Sequence, residues 1–195
     1  MFSKFAKAPL SLLSLFCLVA FCSCAPQVDK SDKMIVSVRD QKLVLMNHDQ
    51  PVKTYKISTS KFGIGDTPRS NCTPLGHMKV ARKIGDGQPA GAVFKSRRPT
   101  GEIIQPNSPG RDPIVSRILW LKGTERHNRN AFNRFIYIHG TPEVDRLGNP
   151  ASYGCIRMGT KDVIDLYNRV GTGADVYVVR GSLGHLTKER NLVAR

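Results

Sequence analysis

The segment 136–158, IYIHGTPEVDRLGNPASYGCIRM, concentrates the residues of this chain that can do chemistry. A thiol attacks as its thiolate, and an imidazole close by favours that state by taking the proton. His139 follows a short apolar run that reads as a buried strand, and a strand end holds a ring rigidly. The loop between His139 and Cys155 carries Pro142, Gly148 and Pro150 and is long enough to fold back and bring the two together. Gly154 leaves room beside the sulfur for an acyl group and allows a turn that aims amide N–H groups at one point. Amides of Gly154 and Cys155 are then the expected donors to an oxyanion. Arg157, two residues beyond Cys155, shares its face if the segment is extended, and its fork can pair with a carboxylate. Spacing alone does not separate this from a cysteine packed as a small core residue.

The elements that must position these groups are mostly strands. Residues 34–38 (MIVSV) and 42–46 (KLVLM) are β-prone, with Arg39-Asp40-Gln41 between them as a tight hairpin. Residues 52–59 alternate apolar and polar. Further strands are expected at 73–83, 91–95, 114–121, 134–138 and 175–180. Residues 97–113, rich in Arg, Pro, Gly and Asn, read as a long basic irregular segment, the kind that is either a functional lid or poorly ordered. One helix is expected: Thr160 as its cap, Asp162 in the first turn, Val163, Leu166 and Val170 as an apolar stripe, and Gly171 as its end.

Before this domain lies a leader. Lys4 and Lys7 precede an apolar run over 10–22, too short for a membrane span and right for the core of a signal peptide. Residues 1–24 are therefore expected to direct export, with two exits: plain cleavage, or lipidation at Cys24 that would attach the chain to a membrane. Residues 25–33 form a linker, 34–181 the domain, and 182–195 a basic tail. Cys72 and Cys155 are the cysteines of the domain, and pairing of the two in an oxidising compartment stays open. Neither CxxC nor zinc-type Cys/His spacing occurs, so no metal is expected. Lys plus Arg number 30 against 15 Asp plus Glu, a formal net charge of +15. That excess suits polyanionic surroundings. No nucleic-acid-binding motif accompanies it, so an anionic cell wall or lipid headgroups fit better than nucleic acid.

His-Gly at 139–140 followed by Ser152-Tyr153-Gly154-Cys155-Ile156-Arg157-Met158 resembles the signature of the L,D-transpeptidase catalytic domain (the YkuD family). Thr73-Pro74-Leu75-Gly76 resembles that family's Thr-Pro-x-Gly, and the likeness spans about 34–180. It implies a mostly β fold, an L,D-transpeptidase-like β-sandwich with one or two short helices. It implies Cys155 as the acylated nucleophile and His139 as base, its ring oriented by a backbone carbonyl such as that of Gly140. Ser152, Tyr153, Gly154 and Arg157 would shape oxyanion and substrate contacts. Many members carry His where this chain has Tyr153, which puts an acid–base role at that position in doubt. The implied partners are peptidoglycan stem peptides, without a cofactor, in the periplasm or cell envelope. The competing classes are a non-catalytic wall-binding protein and a general secreted cysteine peptidase.

Overall fold

The computed structural model describes residues 32–184. The leader, Cys24 and most of the tail lie outside them. Ten strands, β1 (Lys33–Ser37), β2 (Lys42–Asn47), β3 (Gln50–Ser58), β4 (Gly76–Ile84), β5 (Ala92–Lys95), β6 (Arg98–Ile103), β7 (Ile114–Gly123), β8 (Tyr137–Gly140), β9 (Ile156–Met158) and β10 (Asp175–Val179), are joined by one α-helix, α1 (Thr160–Arg169). Two single 3₁₀ turns lie at Arg126–Asn128 and Val144–Arg146.

The strands run in the order β4-β10-β1-β2-β3-β9-β8-β7, and β7 pairs back onto β4, so the sheet closes on itself. β1 with β10 and β8 with β9 are parallel; the other neighbours are antiparallel. β7 serves two partners along one edge. Its beginning pairs with β5 and the rest with β4, while on its other edge the pairing with β8 slips between Val115 and Ile118, where Ser116 has φ +67°. The hairpin β5–β6 extends from that point.

The enclosed face holds the main core: Met34, Val36, Leu43, Tyr55, Ile57, Leu119, Leu121, Ile138, Ile156 and Met158, with Val163, Leu166 and Val170 of α1 packed against it. The three helix residues are the stripe expected from the 3.6-residue period. Gly159, not Thr160, is the residue before the first turn, and the helix closes at Val170, whose N–H reaches Leu166 O. Gly140 is the contact point of three elements. A Cβ there would lie 2.4 Å from Val115 O and 3.0 Å from Val163 Cγ1, so only glycine lets β8, β7 and α1 meet.

Two expectations need correction. Residues 98–103 are a strand, not part of an irregular segment. β6 is exposed throughout, carries Pro99 and Gly101, and lies at the sheet edge, where proline is tolerated. With no inward face, it shows no alternation to read. The strand expected at 134–138 begins only at Tyr137, because Arg134 turns inward to make buried contacts described below.

Candidate active site

Alternation along two parallel strands sets the site. Ile138 and Ile156 are register partners and point into the main core, so Tyr137 and His139 on β8 share the opposite face with Cys155 and Arg157. His139 is the register partner of Arg157 and lies diagonally from Cys155, a separation within reach of long side chains. A second apolar cluster, Ala92, Phe94, Ile118, Trp120 and Tyr137, backs this face, with Phe132 and Cys155 packed on it. Trp120 stacks on Phe132 at 4.2 Å and meets Tyr137 edge-on. The aromatic pair therefore belongs both to a core and to the wall behind the sulfur.

Cys155 and Cys72 are both free thiols, so no disulfide occupies the site. Cys155 is half-buried and opens into a cavity of about 480 Å³ lined by Pro68, Arg69, Asn71, Phe135, Tyr137 and Tyr153, among others. A hollow of about 530 Å³ over β1–β3 contains none of these residues. The Cys155 thiol donates to Phe135 O at 3.3 Å. Loss of water pushes its pKa up to about 11, while a hydrogen bond from the Tyr137 amide and the charge of Arg134 pull it down. Burial likewise lowers the pKa of His139; its bond to Gly140 and the charge of Asp112 oppose that, and Arg157 adds to it. At neutral pH the resting pair is therefore thiol and neutral imidazole. His139 Nδ1 lies 2.8 Å from Gly140 O, which only accepts, so Nδ1 carries the hydrogen and Nε2 is left basic.

The loop before Cys155 is held from three sides. Ala151 and Ser152 amides donate to Thr59 O, and the Thr59 amide donates to the buried Gln41 side chain of the β1–β2 turn. Thr73 Oγ1 accepts from the Ser60 amide and donates to Gly154 O, both at 3.0 Å. Ser152 Oγ donates to Cys155 O at 2.5 Å. Gly154 has φ +118°, and a Cβ there would press on Cys72 O and Ile136 at 3.3 Å. Its amide donates to Ser152 Oγ, so the N–H expected to face an oxyanion is committed within the loop; the Tyr137 amide is the one directed at the sulfur. Tyr153 is exposed and held by Lys61, whose Nζ donates to its hydroxyl and lies over its ring.

Arg157 is 3% exposed in its side chain, and one nitrogen, NH1, serves two carboxylates, Asp112 and Glu143 at 2.9 Å. Thr141 donates to the same Asp112 carboxylate. Nε and NH2 of Arg157 are buried without a partner. The expected carboxylate contact of Arg157 is thus made to the protein's own acids, leaving two donors unused. Asp112, Glu143 and Arg134 were not singled out from the sequence, because each meets the site through a contact with a residue distant in the chain. Of the histidines, His77 is fixed between Asp175 and Thr124 and stacked on Tyr177, and His127 is exposed beside Glu125.

Comparison with known proteins bears directly on this arrangement. A Bacillus licheniformis protein bearing the name L,D-transpeptidase YkuD is 27% identical over 146 residues, 75% of this chain and 64% of its own length. An L,D-transpeptidase from Mycobacterium smegmatis superposes with a TM-score of 0.52 at 17% identity, covering 76% of this chain and 58% of that one. L,D-transpeptidase 3 from Mycobacterium tuberculosis gives 0.51 at 17%, covering 77% and 61%. At that identity the structures share a fold, and this chain spans less than two thirds of each of these proteins. The family model for the L,D-transpeptidase catalytic domain matches residues 31–178. Those residues hold both His139 and the loop that ends at Cys155, and the chain belongs to the L,D-transpeptidase catalytic domain family.

Proposed function

We propose that this protein is an exported peptidoglycan L,D-transpeptidase in which Cys155 is the nucleophile and His139 its base. The observation that carries this reading is a free, half-buried thiol opening into a cavity, on the same face as a buried imidazole whose Nε2 is left basic.

With both groups neutral at rest, His139 acts as a general base when the donor arrives. Nε2 takes the thiol proton as Sγ attacks the carbonyl carbon of the L-centre residue in a tetrapeptide stem. The C=O electrons move onto oxygen, and backbone amides beside the sulfur, that of Tyr137 among them, stabilise the oxyanion. Collapse expels the terminal D-alanine, whose nitrogen receives the proton from His139, and leaves a thioester on Cys155. An acceptor amine then attacks, His139 takes its proton, and the departing thiolate is reprotonated. If the amine belongs to another stem, a cross-link forms; water in its place gives carboxypeptidase activity. The chemistry needs no cofactor, because the thiol supplies the nucleophile. Ser152, Gly140 and Gly154 fix the geometry, Tyr153 stands at the rim, and the half-paired Arg157 sits beside His139.

The leader over 1–24 directs export to the periplasm or cell envelope, with Cys24 as the lipidation position if the chain is anchored. Among the described residues no helix is long and apolar enough to cross a membrane. Residues 25–33 then tether the domain, 34–181 form it, and 182–195 follow as a basic tail. The positive charge suits an anionic wall.

The test is to incubate the protein with a tetrapeptide-stem muropeptide and follow products by mass spectrometry. Expected are a thioester mass on Cys155, released D-alanine and a cross-linked dimer, all lost in Cys155→Ala with the fold retained. Unchanged muropeptides with the wild type would overturn the reading.

A further inference from the structure

Among the described residues, Arg69 differs from the other cations around the sulfur in having no partner. The cavity that Cys155 opens into is lined by no acidic side chain among the described residues. Of the two guanidinium groups lining it, Arg134 is neutralised by Asp66, and its two terminal nitrogens donate also to Gly65 O, Ser70 Oγ and Cys72 O. Arg97, nearby, lies over Trp120 and Phe135 and reaches the Tyr137 hydroxyl at 3.4 Å. Arg69 makes no hydrogen bond, ion pair or ring contact among the described residues, yet the loop that carries it is fixed. Arg134 binds that loop at four points between Gly65 and Cys72. Asn130 holds Asp66 through its backbone amide at 2.7 Å and through its side chain. The Ser70 amide closes the turn onto Thr67 O. An exposed, unspent cation whose backbone is fixed on the rim of an acid-free cavity is a site for an anion, at the cost of ordering its own side chain.

We propose that Arg69 binds a free carboxylate of the acyl-donor peptide and so selects acidic donors for Cys155. The proposal deepens the transpeptidase reading and rests on it for the identity of the ligand. In a tetrapeptide stem the carboxylate has two sources, the terminal residue that leaves and an acidic side chain. Both offer the same planar pair of oxygens to the guanidinium fork.

The experiment measures binding of stem tetrapeptides to the Cys155→Ala protein, with Arg69 intact, as Arg69→Ala, or as Arg69→Lys. Three peptides are compared: both carboxylates free, only the terminal one amidated, and only the side-chain one amidated. Arg69→Ala is expected to weaken binding of the free peptide by about 10- to 100-fold, the range for a charge-assisted hydrogen bond. One of the two amidated peptides should bind the Arg69 protein as weakly and lose nothing further on substitution; which one does so identifies the carboxylate. Arg69→Lys should recover part of the affinity. Equal losses on all three peptides, or a change under two-fold on the free one, overturns the assignment. A parallel search for a thioester mass on the wild type tests the catalytic reading separately.

Discussion

Two buried arginines flank the candidate site, and they are satisfied very differently. Arg134 is 8% exposed against an Asp66 at 6%, and its NH1 and NH2 reach one carboxylate, one hydroxyl and two carbonyls. Arg157 is 3% exposed, gives a single nitrogen to two carboxylates that are themselves a quarter exposed, and leaves Nε and NH2 bare. A guanidinium with its ends filled is a fastener: it ties the 65–72 loop to the segment that leads into β8. A guanidinium with bare donors, beside the imidazole, keeps an unmet demand that a better-filled core would not tolerate. The lesson is that burial of a charge does not identify function; the unfilled part of its hydrogen-bonding capacity is the sharper sign.

That contrast breaks first on stability. Arg134→Ala leaves Asp66 buried without its counter-charge and should cost about 3–5 kcal/mol in denaturant unfolding. Arg157→Ala exposes Asp112 and Glu143 to water they already partly reach, so its cost should be nearer about 1–2 kcal/mol. Cross-linking activity, by contrast, should fall on the order of 100-fold. If Arg157→Ala proves the more destabilising of the two and leaves the rate intact, the assignment of roles is inverted.

Thr73 sharpens the fastening side of the comparison. Its hydroxyl joins Ser60 to Gly154 across the loop before the nucleophile. Thr73→Val keeps the shape and strands both partners, for an expected loss of about 1–3 kcal/mol by thermal or chemical melting. The smallest expected effect is a pH dependence on the Arg157 side. His139 is held below its ordinary 6.5 by burial, so the unfolded chain binds a proton that the folded one refuses. Stability from this group is complete above pH 6.5 and declines as the pH falls below it. In His139→Gln that part of the acid slope should vanish from a pH series of unfolding curves. Asp112→Asn removes a charge that favours the imidazolium, so the acid limb of the activity profile should move to lower pH.

Much of this was legible because the signals are local. The stripe Val163, Leu166 and Val170 repeats with the helix period, and the hairpin around Arg39-Asp40-Gln41 reads from alternation and turn residues. His139 and Cys155 stood out because they lie in one short segment around a glycine. β6 was missed because a strand exposed on both faces has no pattern. The start of β8 was misplaced because Arg134 obeys a carboxylate 68 positions away rather than its neighbours.

By itself the sequence determined most of the element types, the faces of the strands that carry an apolar alternation, and the placing of an imidazole and a thiol at the two ends of one loop. These follow from periodicity and backbone sterics acting over a few residues. Only the tertiary structure decided which strand closes on which, that the Gly154 amide is spent inside its loop, that Arg157 meets Asp112 and Glu143, and that Arg69 is left over among the described residues. Those outcomes depend on which partner reaches a buried charge or donor first in space, and the chain writes no record of that along its length.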